Sequence, residues 1–574
     1  MTPARSFTHA LAERFARSAG DTALLCPDPA GRTTGHRYAE LDARARTVAA
    51  ALDARGAAGA PVLVATGGGV DTVAALLGCL YAGAVAVPVP PPDTSRAAAE
   101  RTAAIAAETD APLLLTHSAH APEFSRRLSE AGRGAVVCLA VDNLPEAEGS
   151  WAPPRVQADD TALIQYTSGS TAGPRGVRVT HANLLATMEA LRRALGTDRT
   201  ARIGGWLPLH HDLGLVGQLL HPLWLGATAV LMPGELYAAD PLRWLREVSR
   251  HGVTVTAAPD SAYARCLAAV TDADLADLDL GRLAVAVNAS EPVSAVTRSA
   301  FANRFAAAGL RPGALLTGYG LAEATLLVSV GRPGEESTAT TVAANALERG
   351  LLAPPEPGGP VRTLVGCGRP ASVTVRIVDP VNSAVLPDGS VGEIWVRGAA
   401  VAAGYWRRPG ETATVFGATT GSGETGFLRT GDLGALLEGE LYVTGRIKDA
   451  LLVDGRTLHP QEAERQLARS GAPFGSAVVL AAPAERAMQE EIVAIQEVHG
   501  AGWSPRQLAD LADRVRGCLH GEFGAETGRV LLVRPGTVRR TTSGKVRRSL
   551  MREMYLRGDL RPLHTEPPQE GQSP

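Results

Sequence analysis

YTSGSTAGPRGV, residues 166 to 177, follows the apolar, strand-like TALIQ and sets small hydroxyl residues among glycines in close succession. Glycine lets the backbone come close to a ligand, so such a loop can wrap N–H groups and Ser/Thr hydroxyls around phosphate oxygens. The spacing is not the GxxxxGK(S/T) of P-loop enzymes. The surroundings repeat the strand-then-loop pattern. VLVATG near Val62, AVAVPVP near Ala84, PLLLTH near Pro112, AVVCLAV near Ala135, then TAVLMPG and TVTAAPD alternate with helical stretches. That alternation predicts an α/β fold with substantial parallel sheet.

At roughly 150 residues per domain, the 574 residues call for at least two lobes. Hydrophobic residues make up 45% and charged residues 20%, a composition that buries a large core and is unlike that of disorder. With Lys+Arg 56 against Asp+Glu 59, the formal charge of -3 gives no global field for nucleic acid, so any anion site is local. Cys26, Cys79, Cys138, Cys266, Cys367 and Cys518 are far apart and include no CxxC pair, as fits a reduced, cytoplasmic protein. The N-terminal MTPARSFTHALAERFARSAG reads as a helix and lacks the continuous apolar stretch of a secretory signal. The uncharged run Thr72 to Pro92 is divided by Gly78, Gly83, Pro88 and Pro90 into a short helix and a buried strand, which argues against a membrane span.

Of the 56 basic residues only Lys448 and Lys545 are lysine. Lysine is a point charge on a flexible stem and arginine a wide planar fork, so a site that approaches one oxygen end-on can exclude arginine. Both lysines are therefore candidate functional residues. A Pro/Gly-rich stretch from Leu351 to Pro370 interrupts the sheet as an ordered insertion or a flexible lid. The boundary near Gly445 predicts a large lobe over 1–444, a small lobe over 445–560 and a disordered tail over 561–574.

Further motifs follow in order: WLPLHHDLGLVG (206–217), NASEPV (288–293), GYGLAEAT (318–325), GEIWVRG (392–398), RTGDLG (429–434), GRIKD (445–449) and TTSGKVRR (541–548). The set spans about Phe7 to Arg548 and resembles the adenylate-forming superfamily of acyl-CoA ligases, amino-acid adenylation domains and luciferases. Within it LGCLYAGAVAVPVPPP (77–92), GYGLAEATLLVS, FLRTGDLGALLEGELYVTGRIKD and HPQEAE (459–464) are similar to fatty acyl-AMP ligases. Residues 337–367 match the insertion that sets those ligases apart from acyl-CoA ligases. The resemblance implies an ANL-type α/β fold with mixed α/β subdomains in the large lobe and a small, mobile α+β lid. It implies activation of a carboxylic acid by ATP and Mg²⁺ to an acyl adenylate, with pyrophosphate released. The acyl group then passes to the phosphopantetheine thiol of an acyl carrier protein, or of a carrier domain of a polyketide or nonribosomal peptide synthase. No carrier segment follows Arg548, so that partner is expected in trans. An acyl-CoA ligase and an amino-acid adenylating enzyme are the enzymatic alternatives. A nucleotide-binding regulatory protein without catalysis is the alternative from another class, and Glu323, Asp432 and Lys545 argue against it.

Negative charge accumulates as a carboxylate attacks the α-phosphate, which calls for a cation and a metal at the pentavalent state. By resemblance Lys545 is that cation and Glu323 holds Mg²⁺. Thr167, Ser168, Gly169, Ser170 and Thr171 bind the phosphates, and Ser290, Glu291, Tyr319 and Gly320 complete the nucleotide site, with Tyr319 stacked on adenine. Asp432 accepts both ribose hydroxyls, since one carboxylate offers two oxygens to a vicinal diol. Arg446 reinforces the ribose or phosphate contact, and Lys448 is the hinge of the small lobe. His211 sits beside the acyl carboxylate, with Trp206, Gly318, Asp260 and Ser261 around the acyl group. Residues 534–557 carry eight basic residues and one acidic residue, a plausible docking face for an acidic carrier.

Two stretches depart from the family wording. APDSAY (258–263) stands where APNFAY is common, which puts a carboxylate and a serine near the acyl pocket. That predicts a short to medium acid, or one with a polar or amino substituent. VDGRTLHPQEAE (453–464) differs from the usual RGRNHYPQDIE after the hinge, at Asp454, Thr457 and His459.

Overall fold

The computed structural model describes residues 6–91, 96–146, 151–167, 175–453, 456–483, 490–523, 528–540 and 546–566. Ser168, Gly169, Ser170, Thr171, Asp454 and Lys545 lie outside the described residues.

Among the described residues, the first sheet has six strands. Pro61–Val64, Val85–Pro88 and Leu113–Thr116 run parallel in its centre. Their apolar sequences are almost wholly buried, as parallel strands covered on both faces must be. The stretch Thr72 to Pro92 contains most of the helix Gly69–Tyr81 and the strand Val85–Pro88, as the sequence indicated. That helix packs so closely on Tyr38–Asp53 that a Cβ at Gly78 would meet Val48 at 2.5 Å. The sheet ends in an antiparallel pair: Thr161–Thr167 lies beside Arg175–Thr180, with Thr167 opposite Arg175.

A second sheet has nine strands. Val255–Ala258, Val285–Asn288 and Leu315–Gly320 run parallel at its centre, with Ala258 opposite Asn288 and Asn288 opposite Thr317. Their C-terminal ends therefore open on one side, the side on which α/β sheets bind ligands. A third, five-stranded antiparallel sheet includes Gly392–Arg397, Phe427–Leu437 and Glu440–Arg446. Gly445 and Arg446 were assigned to the small lobe from sequence. They pair with Leu433 and Asp432 of the large lobe, so the large lobe's sheet runs two residues past 444. A short 3₁₀ turn, Ile447–Asp449, follows it.

Beyond the turn, residues from Leu451 onward bury two apolar clusters of their own. These lie on either face of a four-stranded sheet ordered Phe474–Pro483, Glu490–Val498, Arg529–Val533, His564–Glu566. The last strand corrects the expected tail, because residues 564–566 pair with Val530–Leu532 rather than being disordered. Arg548 is buried here. It forms ion pairs with Asp449 at 3.3 Å and Glu464 at 2.6 Å, and its Nε donates to the Val479 carbonyl at 2.9 Å.

The insertion is an ordered unit. Ala339–Ala343 pairs antiparallel with Val361–Val365 around a short helix, Ala344–Glu348. The Thr340 hydroxyl lies 2.8 Å from the Tyr442 hydroxyl, and Leu352 N–H donates to the Gly389 carbonyl at 2.7 Å. These bonds hold the unit against the antiparallel sheet. No helix among the described residues is long and apolar enough to cross a membrane.

Candidate active site

Tyr319 and Gly320 end the strand Leu315–Gly320. A Cβ at Gly320 would lie 1.8 Å from the Leu326 carbonyl oxygen, so the chain can turn back there only with glycine. The Tyr319 hydroxyl donates to Asp432 Oδ2 at 2.7 Å, and Arg446 Nε reaches Asp432 Oδ1 at 2.8 Å. Asp432 and Arg446 are direct cross-strand partners, so the hairpin register builds the ion pair. Burial, then the Asp432 charge, push the Tyr319 hydroxyl well above its ordinary value, which keeps it a donor. Arg446 is held above its ordinary value chiefly by Asp432. The three residues assigned to the nucleoside side thus form one hydrogen-bonded unit.

Glu323 lies in a single 3₁₀ turn, Ala322–Ala324, and its Oε1 accepts from the Tyr405 hydroxyl at 2.9 Å. Burial raises the Glu323 carboxyl above its usual value, and the Tyr405 hydrogen bond opposes that rise. Tyr405 was not singled out from the sequence. It belongs to AAGYWRRPG (402–410), whose aromatic pair reads equally well as core. Among the described residues no three His, Cys, Asp or Glu side chains form a metal cluster.

Below the unit opens a cavity with about 690 Å³ of space, part of it open to solvent. Ser290, Gly318, Tyr319 and Gly320 line one end. Much of the remaining wall is aliphatic, as with Leu191, Leu195, Ile203, Val255, Leu327 and Val330. One side is the π-helix Leu213–Leu220, begun by Asp212 and continued by His221; such widened turns recur at functional sites. Asp212, Gln218 and His221 all line the cavity, and none was singled out from sequence. The signal was there: Gln218 and His221 are three residues apart, on one helical face, in the otherwise apolar LGLVGQLLHPLWL.

Several expected acyl-site residues are placed elsewhere. Asp260 is buried, and its Oδ1 accepts from Asn288 Nδ2 at 2.9 Å and Ser294 N–H at 3.2 Å. Burial raises its carboxyl, and it is absent from the cavity wall. Ser261 is exposed, with its N–H donating to Glu291 Oε2 at 3.0 Å. The APDSAY departure therefore ties a helix start to a strand end and lies outside the wall of this cavity. Glu291 is correspondingly engaged at the N-terminus of that helix, where a carboxylate is favoured. Trp206 stacks on Tyr237 at 3.7 Å, which in turn carries Arg265 on its ring at 4.9 Å. The His211 ring lies 4.5 Å from that of His210. Neither Trp206 nor His211 lines the cavity. Thr167 closes its strand opposite Arg175, and Lys448 occupies the 3₁₀ turn after Arg446.

The AMP-binding enzyme family matches residues 11–406. The chain is 36% identical over 533 residues to the medium-chain-fatty-acid–[acyl-carrier-protein] ligase JamA of Moorena producens (strain JHB), covering 91% of this chain and 90% of that one. It is 34% identical over 548 residues to the long-chain-fatty-acid–AMP ligase FadD26 of Mycobacterium marinum (strain ATCC BAA-535 / M), covering 92% of each. It superimposes on the crystal structure of a fatty acyl-adenylate ligase from L. pneumophila in complex with acyl adenylate and pyrophosphate. There the TM-score is 0.75, with 30% identity and 98% of each chain covered.

Proposed function

This chain belongs to the AMP-binding enzymes, and within them to the fatty acyl-AMP ligases, and we propose accordingly that it activates a carboxylic acid with ATP and passes the acyl group to a carrier protein. One observation carries the reading: the same cavity is lined at one end by Ser290, Gly318, Tyr319 and Gly320 and further in by aliphatic side chains. A carboxylate at that junction has its chain in the apolar space and its oxygens toward the nucleotide side. A carboxylate oxygen bonds to the α-phosphorus and the bond to the bridging oxygen breaks, releasing pyrophosphate. The carrier thiol then gives up its proton and its sulfur displaces AMP from the carboxyl carbon.

The residues have separable tasks. Asp432 takes the ribose diol on the two oxygens now held by Tyr319 and Arg446, so nucleotide binding exchanges partners within the unit. Thr167, Ser168, Gly169, Ser170 and Thr171 hold phosphate oxygens, and Lys545 neutralises charge in the transition state. Lys448 is the pivot between the adenylation and thiol-transfer poses. Glu323 fits Mg²⁺ carried on phosphates, because that ion takes one or two protein carboxylates and draws its other ligands from phosphate and water. When bound, the metal supplies charge neutralisation to the phosphate oxygens. The carrier is a free protein or a domain of a polyketide or nonribosomal peptide synthase, and the cytoplasm, which supplies ATP, is the expected location.

Glu323 must be ionised to hold a cation, so kcat/KM for ATP falls as pH drops through its raised pKa. Tyr405→Phe removes the hydrogen bond that favours the ionised form, so the acid limb moves to higher pH. A limb that stays in place separates Glu323 from the reaction.

Pyrophosphate release with an acid panel, followed by product analysis with a carrier protein or coenzyme A as acceptor, tests the reading as a whole. Carrier acylation is expected to exceed acyl-CoA formation; equal rates overturn the carrier assignment. Deleting residues 338–366 is expected to raise the acyl-CoA share. Gly366 N–H donates to the Thr338 carbonyl at 2.8 Å, so the ends already meet. Ser337 must stay, because its hydroxyl accepts the Thr317 N–H at 3.1 Å beside Gly318.

A further inference from the structure

Two side chains that line the cavity each keep one buried polar atom without a partner. Gln218 is 2% exposed; its Nε2 donates to the Ala257 carbonyl at 3.0 Å, and its Oε1 accepts nothing. The Ala257 carbonyl fixes the orientation, because turning the amide over would set two acceptors against each other. His221 is 1% exposed; its Nε2 lies 2.8 Å from the Thr197 hydroxyl, and its Nδ1 is unpartnered. Burial drives this imidazole down to about 3, so it is neutral and offers one donor and one acceptor. Thr256, the nearby polar residue of the same wall, is fully used: it accepts from Trp244 Nε1 at 3.1 Å and donates to the Gly204 carbonyl at 2.7 Å.

Room is made for the arrangement. A Cβ at Gly205 would meet the Gln218 amide at 2.6 Å, so glycine on the neighbouring strand lets that side chain lie flat beside the cavity. Gln218 sits at the level of Ala257, one residue in from the strand end at Ala258, and His221 lies three residues further along the helix. The pair therefore marks a band inside the chain-binding part of the cavity, roughly one helical turn or 5 Å deep. A plain alkyl chain would leave both atoms without hydrogen bonds, the costly state for buried polar groups.

We propose that the acid this enzyme activates carries a hydroxyl part-way along its chain, recognised by Gln218 Oε1 and His221 Nδ1 in the wall of the acyl cavity. The proposal rests on the acid-activating reading above and names its substrate class. Gln218 Oε1 can only accept, so the substituent must donate. The donor is neutral: the imidazole beside it is uncharged, and Asp212, the carboxylate among the lining residues, sits about two helical turns back at the helix start. An ammonium group would have no counter-charge in the band.

The test compares ATP-dependent pyrophosphate release for medium-chain acids of one length, unsubstituted or with one hydroxyl moved along the chain beyond the β carbon. One positional isomer is expected to exceed the unsubstituted acid in kcat/KM by tenfold or more, since sites built to hydrogen-bond a substrate hydroxyl discriminate strongly against analogues lacking it. In Gln218→Met and in His221→Phe the ratio of that isomer to the plain acid should fall toward one, whatever the absolute rates. If the wild-type enzyme uses the plain acid as well as every hydroxy isomer, the substrate class is wrong while acid activation stands. If no acid of the panel releases pyrophosphate, the activity itself fails and the proposal goes with it.

Discussion

Lys545→Ala is expected to lower pyrophosphate release on the order of 10²- to 10³-fold, the usual loss when a group aimed at developing transition-state charge is removed, while ATP binding stays near normal. Ground-state phosphates keep their loop donors; the added charge of the pentavalent state loses its cation. Arg547, two residues on, lies close enough to Arg101 of the large lobe to help depress that guanidinium, burial being the larger cause, and Arg101 in turn acts on the buried His210. Lys545→Arg should fail nearly as badly, since a planar fork cannot approach one oxygen as an ammonium does. Near-normal ATP–pyrophosphate exchange in either variant would remove Lys545 from the step.

Asp432→Ala should act on the nucleotide rather than the chemistry. Hydrogen bonds to a charged group contribute about 1.5 to 3 kcal/mol each, and because the two ribose bonds replace those to Tyr319 and Arg446, their loss weakens ATP binding by up to about 3 kcal/mol, on the order of 10²-fold. Stability changes less. The Arg446 side chain is 46% exposed, so its ion pair contributes little to folding, and the main cost is the buried Tyr319 hydroxyl left without its acceptor. Calorimetric titration with ATP, read beside the thermal midpoint, separates the two effects. Unchanged affinity would mean that Asp432 serves only the Tyr319–Arg446 unit.

Much of this was legible because it is carried by local wording. Runs such as Pro61–Val64 and residues 113–115 are apolar because both faces of a parallel sheet are buried, and Gly83 and Pro88 mark the break between helix and strand and the strand's end, while Gly78 lies inside the helix. Tyr319, Asp432 and Arg446 were found singly from their motifs, but their mutual bonding depends on the register of a hairpin and the end of a distant strand. Asp260 and Ser261 misled for the converse reason. A residue's distance from a pocket in sequence says nothing of which way its side chain turns, and here Asn288 and Ser294 draw the Asp260 carboxylate into the scaffold. Gln218 and His221 went unread because two polar residues in an apolar helix look like ordinary satisfied core until the count of their hydrogen bonds is known.

The buried Arg548 has a mechanical consequence. Its ion pair with Asp449 joins the residue after Lys448 to the third residue after Lys545, and Glu464 and the Val479 carbonyl lock it to the helix and sheet between them. The turn that carries Lys448 and the helix that begins at Arg548 are pinned to the same bolt. With Lys448 as the pivot proposed above, a rotation there would carry that helix along without backlash, as in a stiff lever.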